Sequence, residues 1–141
     1  MPNLTNLVKV YTDGGCSPNP GTGAIGILIL DENNQELATD KQCIGDTTSN
    51  RAEYHALIEG LKLAAGWCTW KAICFSDSSL VIKQLNRNWR IRNKKLLELN
   101  KEVRLTAEVF EEVEYRFISR DNPYIKKADR LAKEALREGL R

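Results

Sequence analysis

A chain of 141 residues, 42% hydrophobic and 28% charged, is long enough to bury a core and too apolar to belong to the disordered class. A formal net charge of +2 excludes a protein that coats nucleic acid through bulk positive charge, so any phosphate contact must be local. No apolar run approaches the ~20 residues of a membrane-spanning helix, and Met1-Pro2-Asn3-Leu4-Thr5-Asn6 lacks the basic and apolar segments of a secretory leader.

In chain order, residues 7–12 read as a first strand, ended by an Asp13-Gly14-Gly15 turn and a Pro18-Asn19-Pro20-Gly21 loop. Residues 23–31 form a second strand, and 36–44 return as a third after a hairpin-like turn at Glu32-Asn33-Asn34-Gln35, giving an antiparallel meander. Residues 50–65 switch to helical spacing through Ala52, Ala56, Leu57, Leu61 and Ala64. The strand that follows, 72–76, is reached by a β-α-β crossover and is therefore parallel to a strand of the meander. Helices are expected over 78–86, over 93–111 (a stripe of Leu96, Leu99, Val103, Ala107 and Phe110) and over 126–138, with a strand at 113–118. The predicted fold is α/β: a five-stranded mixed sheet, three strands antiparallel and two parallel, with helices on both faces, spanning 1–141 as a single domain.

The run Gly21-Thr22-Gly23-Ala24-Ile25-Gly26 matches a G-x-G-x-x-G dinucleotide fingerprint. That reading needs a strand before and a helix after, whereas Ile27-Leu28-Ile29-Leu30 continues as a strand, so it is set aside. Cys16, Cys43, Cys68 and Cys74 form no Cys-x-x-Cys pair, which argues against zinc. Cys43 and Cys74 fall in strand-like runs and are expected as buried free thiols, consistent with a reduced, cytoplasmic protein.

Four acids stand where elements begin or end: Asp13, Glu53, Asp77 and Asp129. Each has an ordinary structural role open to it. Asp13 suits a turn, and Glu53, three residues after Asn50, suits a capping box. Asp77 suits a helix N-cap, and Asp129 suits the first turn of the last helix. If strands 7–12 and 72–76 are parallel neighbours, however, Asp13 and Asp77 emerge side by side at the carboxyl ends where α/β sheets build their sites. Four carboxylates gathered there repel one another unless cations fill the cluster.

These segments resemble the type 1 ribonuclease H family over about residues 7–137. The opening motif is carried by Thr12-Asp13-Gly14-Gly15-Cys16-Ser17-Pro18-Asn19-Pro20-Gly21 and the helix-start motif by Thr47-Thr48-Ser49-Asn50-Arg51-Ala52-Glu53. Ser76-Asp77-Ser78 and Ala128-Asp129-Arg130-Leu131-Ala132 carry the other two, in the family's order and spacing. The resemblance implies Mg²⁺-dependent, two-metal hydrolysis of the RNA strand of RNA–DNA hybrids to 5′-phosphate products, with Mn²⁺ expected to substitute. Asp13, Glu53, Asp77 and Asp129 would be the catalytic, metal-binding carboxylates: Asp13 bridging both ions, Asp129 on the ion that activates water, Glu53 and Asp77 on the ion at the leaving group.

The resemblance further implies 2′-hydroxyl and groove contacts by Cys16, Asn19, Ser49, Asn50 and Ser79, and a DNA-phosphate grip by Thr48. The dense basic stretch Arg87-Asn88-Trp89-Arg90-Ile91-Arg92-Asn93-Lys94-Lys95 reads as a phosphate contact in which Trp89 and Arg90 take part, or as a solvated loop. The chain departs from the family in three places. No His stands in the loop Ser119–Lys127, where many members carry one, so Arg120 is a candidate substitute; the lone His55 faces away from Glu53. The long basic protrusion of some members is absent between residues 83 and 97, and Ser79 stands where a Gln is common. The expected protein is a monomeric, cytoplasmic enzyme without a membrane partner. The alternatives are a catalytically weak hybrid-binding module and a nuclease that also cuts double-stranded RNA.

Overall fold

The computed structural model describes residues 4–139. In chain order the elements are β1 (Val8–Cys16), β2 (Gly21–Leu30), β3 (Glu36–Thr47), α1 (Ser49–Ala64), β4 (Lys71–Ser76), α2 (Ser79–Leu85), α3 (Lys94–Ala107), β5 (Glu112–Phe117) and α4 (Pro123–Gly139). The sheet runs β3-β2-β1-β4-β5. β1 pairs antiparallel with β2, and β2 with β3, while β1–β4 and β4–β5 are parallel. This is the predicted mixed sheet.

Strand periodicity distributes the two faces. Val10, Ile25, Ile27 and Ile29 point toward α1 and join Leu57, Leu61, Val81, Leu96, Leu99 and Val103 in the main core. Tyr11, Leu28 and Leu30 point the other way and pack with Ile125 of α4, where Tyr11 stacks on Phe75 at 4.6 Å between ring centroids. Because helices cover both faces, β2 is apolar almost throughout instead of alternating. Gly26, from the discounted fingerprint, lies in β2 beneath α4: a Cβ there would collide with the carbonyl oxygen of Ala128. No helix among the described residues is long and apolar enough to cross a membrane.

Several expected boundaries move, each for a local reason. The Asp13-Gly14-Gly15 segment is not a turn. β1 continues to Cys16 because its ladder with β2 holds through Asp13↔Gly26 and Cys16↔Gly23. β3 likewise extends to Thr47, which pairs with Gly21. α3 ends at Ala107, short of 111. α4 begins at Pro123, three residues earlier than expected, because the Asn122 side chain accepts the backbone N–H groups of Tyr124 and Ile125. Asp129 therefore sits in the second turn of α4, beyond the range where the helix dipole accounts for it. All four cysteines are free. Cys74 is buried as expected, but Cys43 is exposed, since β3 is an edge strand.

Candidate active site

The parallel register of β1 and β4, with Tyr11 opposite Phe75, carries the two chains forward together, so Asp13 and Asp77 come out as neighbours. Asp77 is not the cap of α2. Ser78 is, accepting the Val81 N–H through Oγ. Nor does Glu53 close a capping box, because Thr48 is the N-cap of α1 and accepts the Arg51 N–H. Glu53 instead turns back to β1, where its Oε1 accepts the Gly14 N–H at 2.7 Å. Gly14 permits that approach, since a Cβ at this position would run into the backbone of Ala52 and Glu53.

The adjacent Tyr54 anchors this turn of α1 from the other side. Its hydroxyl donates to Gln84 Oε1 at 2.6 Å and accepts from Asn100 Nδ2 at 3.2 Å, and Arg104 Nε donates to Asn100 Oδ1 at 2.9 Å. These bonds tie α1 to α2 and α3 in a buried polar chain, and the network fixes the rotation of the helix that carries Glu53.

One carboxylate oxygen each from Asp13, Glu53 and Asp77 lies within 4.8 Å of the others. Asp129 joins by a hydrogen bond to Asp13 and is held on its outer side by Lys133, whose Nζ is 2.9 Å from Oδ2. The acids line a cavity of about 530 Å³ with Gly14, Gly15, Ser49, Arg120, Asp121, Lys126 and Lys133.

The electrostatics record the crowding. Burial, the hydrogen bond to Asp129 and the charges of Asp77 and Asp129 push Asp13 up to about 8. Burial and the charges of Asp13 and Asp77 raise Glu53 well above the carboxylate range. Asp77 is also raised, chiefly by burial, against the opposing charge of Arg120. At Asp129 burial is outweighed by hydrogen bonds from Lys133 and Asp13 and by the charges of Lys133 and Arg120, so its carboxyl lies below the ordinary range. Three carboxylate oxygens within 4.8 Å of one another are a set of hard donors that could hold a divalent cation.

The remaining predicted residues fall into four groups. Cys16, Asn19 and Ser49 meet at the rim. Asn19 Oδ1 accepts the Cys16 thiol at 3.4 Å and the Ser49 N–H at 3.2 Å, and Cys16 Sγ is 3.6 Å from Ser49 Oγ. Asn50 and Ser79 lie in the first turns of α1 and α2, and neither lines the acid cavity. Thr48 lines a separate recess with Pro20, Gly21, Asp46 and Arg51. Trp89 and Arg90 line another cavity, away from the acids, with Arg87, Lys101 and Arg104. Trp89 has a partner that the sequence did not reveal, the Lys83 ammonium 4.4 Å above its ring.

His55 is absent from the acid cavity, while Arg120 lines it. The sequence reading missed Lys126 and Lys133; the latter was legible as the i+4 partner of Asp129.

The solved structure of RNase H1 from the halophilic archaeon Halobacterium salinarum NRC-1 superposes with a TM-score of 0.89 at 32% identity, covering 94% of this chain and 98% of that one. The chain belongs to the type 1 ribonuclease H family. The sequence model of the reverse transcriptase-like family matches residues 11–135. LC11-RNase H1, solved in complex with an RNA/DNA hybrid, superposes at a TM-score of 0.87 with 28% identity, covering 95% and 99% of the two chains. The bifunctional protein Rv2228c of Mycobacterium tuberculosis is 35% identical over 131 residues, which make up 92% of this chain and 35% of that protein. The chain thus spans about a third of the length of this longer relative.

Proposed function

We propose that this type 1 ribonuclease H domain is a divalent-metal-dependent endoribonuclease that hydrolyses the RNA strand of RNA–DNA hybrids, leaving 5′-phosphate ends. The observation that carries the proposal is the convergence of Asp13, Glu53 and Asp77, from β1, α1 and the end of β4, on one point with raised proton affinity and no capping duty for Glu53 or Asp77. LC11-RNase H1, solved with an RNA/DNA hybrid bound, supports the substrate class.

Asp13, Glu53, Asp77 and Asp129 would hold two Mg²⁺ ions, with Mn²⁺ as a substitute. Bound there, the ions supply Lewis-acid activation of water and charge stabilisation at the leaving 3′ oxygen. The protein's part is positioning. The Gly14 N–H fixes one oxygen of Glu53, the Tyr54 network fixes the helix beneath it, and Lys133 and Arg120 neutralise the outer side of Asp129. Arg120 supplies positive charge in the loop where many family members carry a His, and draws the hybrid's phosphate toward the acids.

Cys16, Asn19, Ser49, Asn50 and Ser79 would read 2′-hydroxyls and sugar edges across the wide minor groove of the hybrid. Thr48 would grip a DNA-strand phosphate in its recess, and Trp89 and Arg90 would hold a more distant part of the duplex. On this reading residues 1–141 act as one catalytic domain, as a cytoplasmic monomer.

The test is cleavage of four end-labelled substrates (RNA–DNA, RNA–RNA, DNA–DNA and single-stranded RNA) with Mg²⁺, Mn²⁺ or EDTA. Metal-dependent cutting confined to the RNA strand of the hybrid is expected. Binding of the hybrid without cutting would make the domain a binding module, and equal cutting of RNA–RNA would remove the assigned 2′-hydroxyl discrimination.

A further inference from the structure

Asp129 differs from the other three acids. It lies outside the group whose oxygens sit within 4.8 Å of one another, and it alone is engaged by a lysine. Lys133, one turn further along α4, places Nζ 2.9 Å from Asp129 Oδ2 while keeping 71% of its side chain in solvent. An ion pair that exposed adds little to folding. Its consequence is felt at Asp129, which it supplies with a cation.

Lys133 also has somewhere to go. It lines both the acid cavity and an adjoining one of about 180 Å³ formed with Cys16, Ser17, Ala24, Ala132 and Leu136. A flexible lysine at that junction can exchange the carboxylate for a phosphate without disturbing packed residues.

We infer that Lys133 is a resident competitor for Asp129, occupying that carboxylate against divalent cations until the phosphate of a bound hybrid draws the ammonium away. This rests on the metal-dependent reading above. It adds that the cation site Asp129 serves is suppressed in the free protein and restored by substrate. A positive charge next to a divalent ion lowers its affinity by an amount that depends on solvent screening. With effective dielectric values between those of protein surface and water, removing it should tighten binding roughly three- to tenfold.

The experiment measures Mn²⁺ binding to the full chain, from the spin-resonance signal of the free ion, for wild type, Lys133→Gln, Lys133→Arg, Asp129→Asn and the Asp129→Asn/Lys133→Gln double variant. Lys133→Gln is expected to tighten the site that Asp129 serves by about three- to tenfold, and Lys133→Arg to stay near wild type. In the Asp129→Asn background the Gln substitution is expected to change binding less than about twofold, because the group competed for is gone. Adding a hybrid whose RNA strand keeps its 2′-hydroxyls but carries non-hydrolysable bridging-methylene phosphonate linkages should close the gap between wild type and Lys133→Gln.

A Lys133→Gln protein that binds Mn²⁺ like wild type overturns the inference and leaves the metal-dependent reading standing. So does an equal gain in the Asp129→Asn background, which would make the effect one of general charge, or a gap unchanged by the hybrid. A wild-type protein that binds no Mn²⁺ at millimolar concentration overturns both.

Discussion

Replacing Asp13 with Asn should make the metal-free protein more stable while abolishing its activity. Asp13 ionises with a pKa pushed from 3.8 to about 8, so between those values the folded protein retains a proton that the unfolded chain has released. Stability therefore falls as pH rises through that window; this is the sign expected of a carboxyl whose folded pKa is raised. At about 1.4 kcal/mol for each pH unit above the ordinary 3.8, the proton that Asp13 must take up to fold at pH 7 opposes folding by about 4 kcal/mol.

Asn is neutral at every pH and keeps an amide that can donate to Asp129. The expected gain at pH 7 is on the order of 2–4 kcal/mol, or roughly 6–12 °C in melting temperature for a chain of this size. The assay is a set of thermal melts in EDTA from pH 4.5 to 8, repeated with Mg²⁺. Wild type should lose stability steadily above about pH 4.5 and the variant should stay flatter. Mg²⁺ should raise the wild-type melting temperature by mass action and leave the variant nearly unmoved. A variant that melts at or below wild type at pH 7 in EDTA would refute the claim that the acid cluster is held together against its own repulsion.

Other substitutions probe the supports of the site. Gly14→Ala places a methyl against the Ala52 carbonyl, and should cost about 1–3 kcal/mol in denaturant melts and slow hybrid cleavage by displacing Glu53. Tyr54→Phe removes the hydroxyl shared by Gln84 and Asn100 and leaves buried polar groups unpaired. A loss of about 1–3 kcal/mol is expected, and an unchanged denaturation midpoint would deny the network its anchoring role. Replacing Arg87 and Arg90 together by Ala should flatten the slope of log hybrid affinity against log salt by about 1–2, measured by fluorescence anisotropy.

Much of this site was legible because the chemistry sits at element ends. If the short β-branched runs before Asp13 and before Asp77 are parallel neighbours, the two acids stand side by side, and the register of β1 with β4 meets that condition. What the sequence concealed is where backbones approach one another. Asp13-Gly14-Gly15 carries turn residues, yet it is strand, because ladder pairing with β2 overrides local propensity and the missing Cβ at Gly14 serves the approach of α1.

Asn122 before Pro123 is a strong helix start hidden in a segment whose Asp, Asn and Pro suggest a loop. With the helix starting at Pro123, Asp129 stands a turn further in than a start at 126 implies, and the dipole does not account for it. The cavity joining Arg87 and Arg90 to Lys101 and Arg104 could not be read at all, since it forms only when the loop folds onto α3. The strand-like run around Cys43 suggests burial, whereas edge position in the sheet decides its exposure.

The most direct measurement is single-turnover cleavage of a hybrid carrying a 5′-labelled RNA strand, by wild type and by Asp77→Asn, first with Mg²⁺, then after chelation, then with Mg²⁺ restored. Asp77 contributes one of the three converging oxygens and does not cap α2, so its loss should leave folding and hybrid binding intact. The account predicts wild-type cutting that stops on chelation and returns with the ion, and a loss of at least about a hundredfold in the variant. Cleavage that persists in chelator, or an Asp77→Asn protein cutting at the wild-type rate, would contradict it.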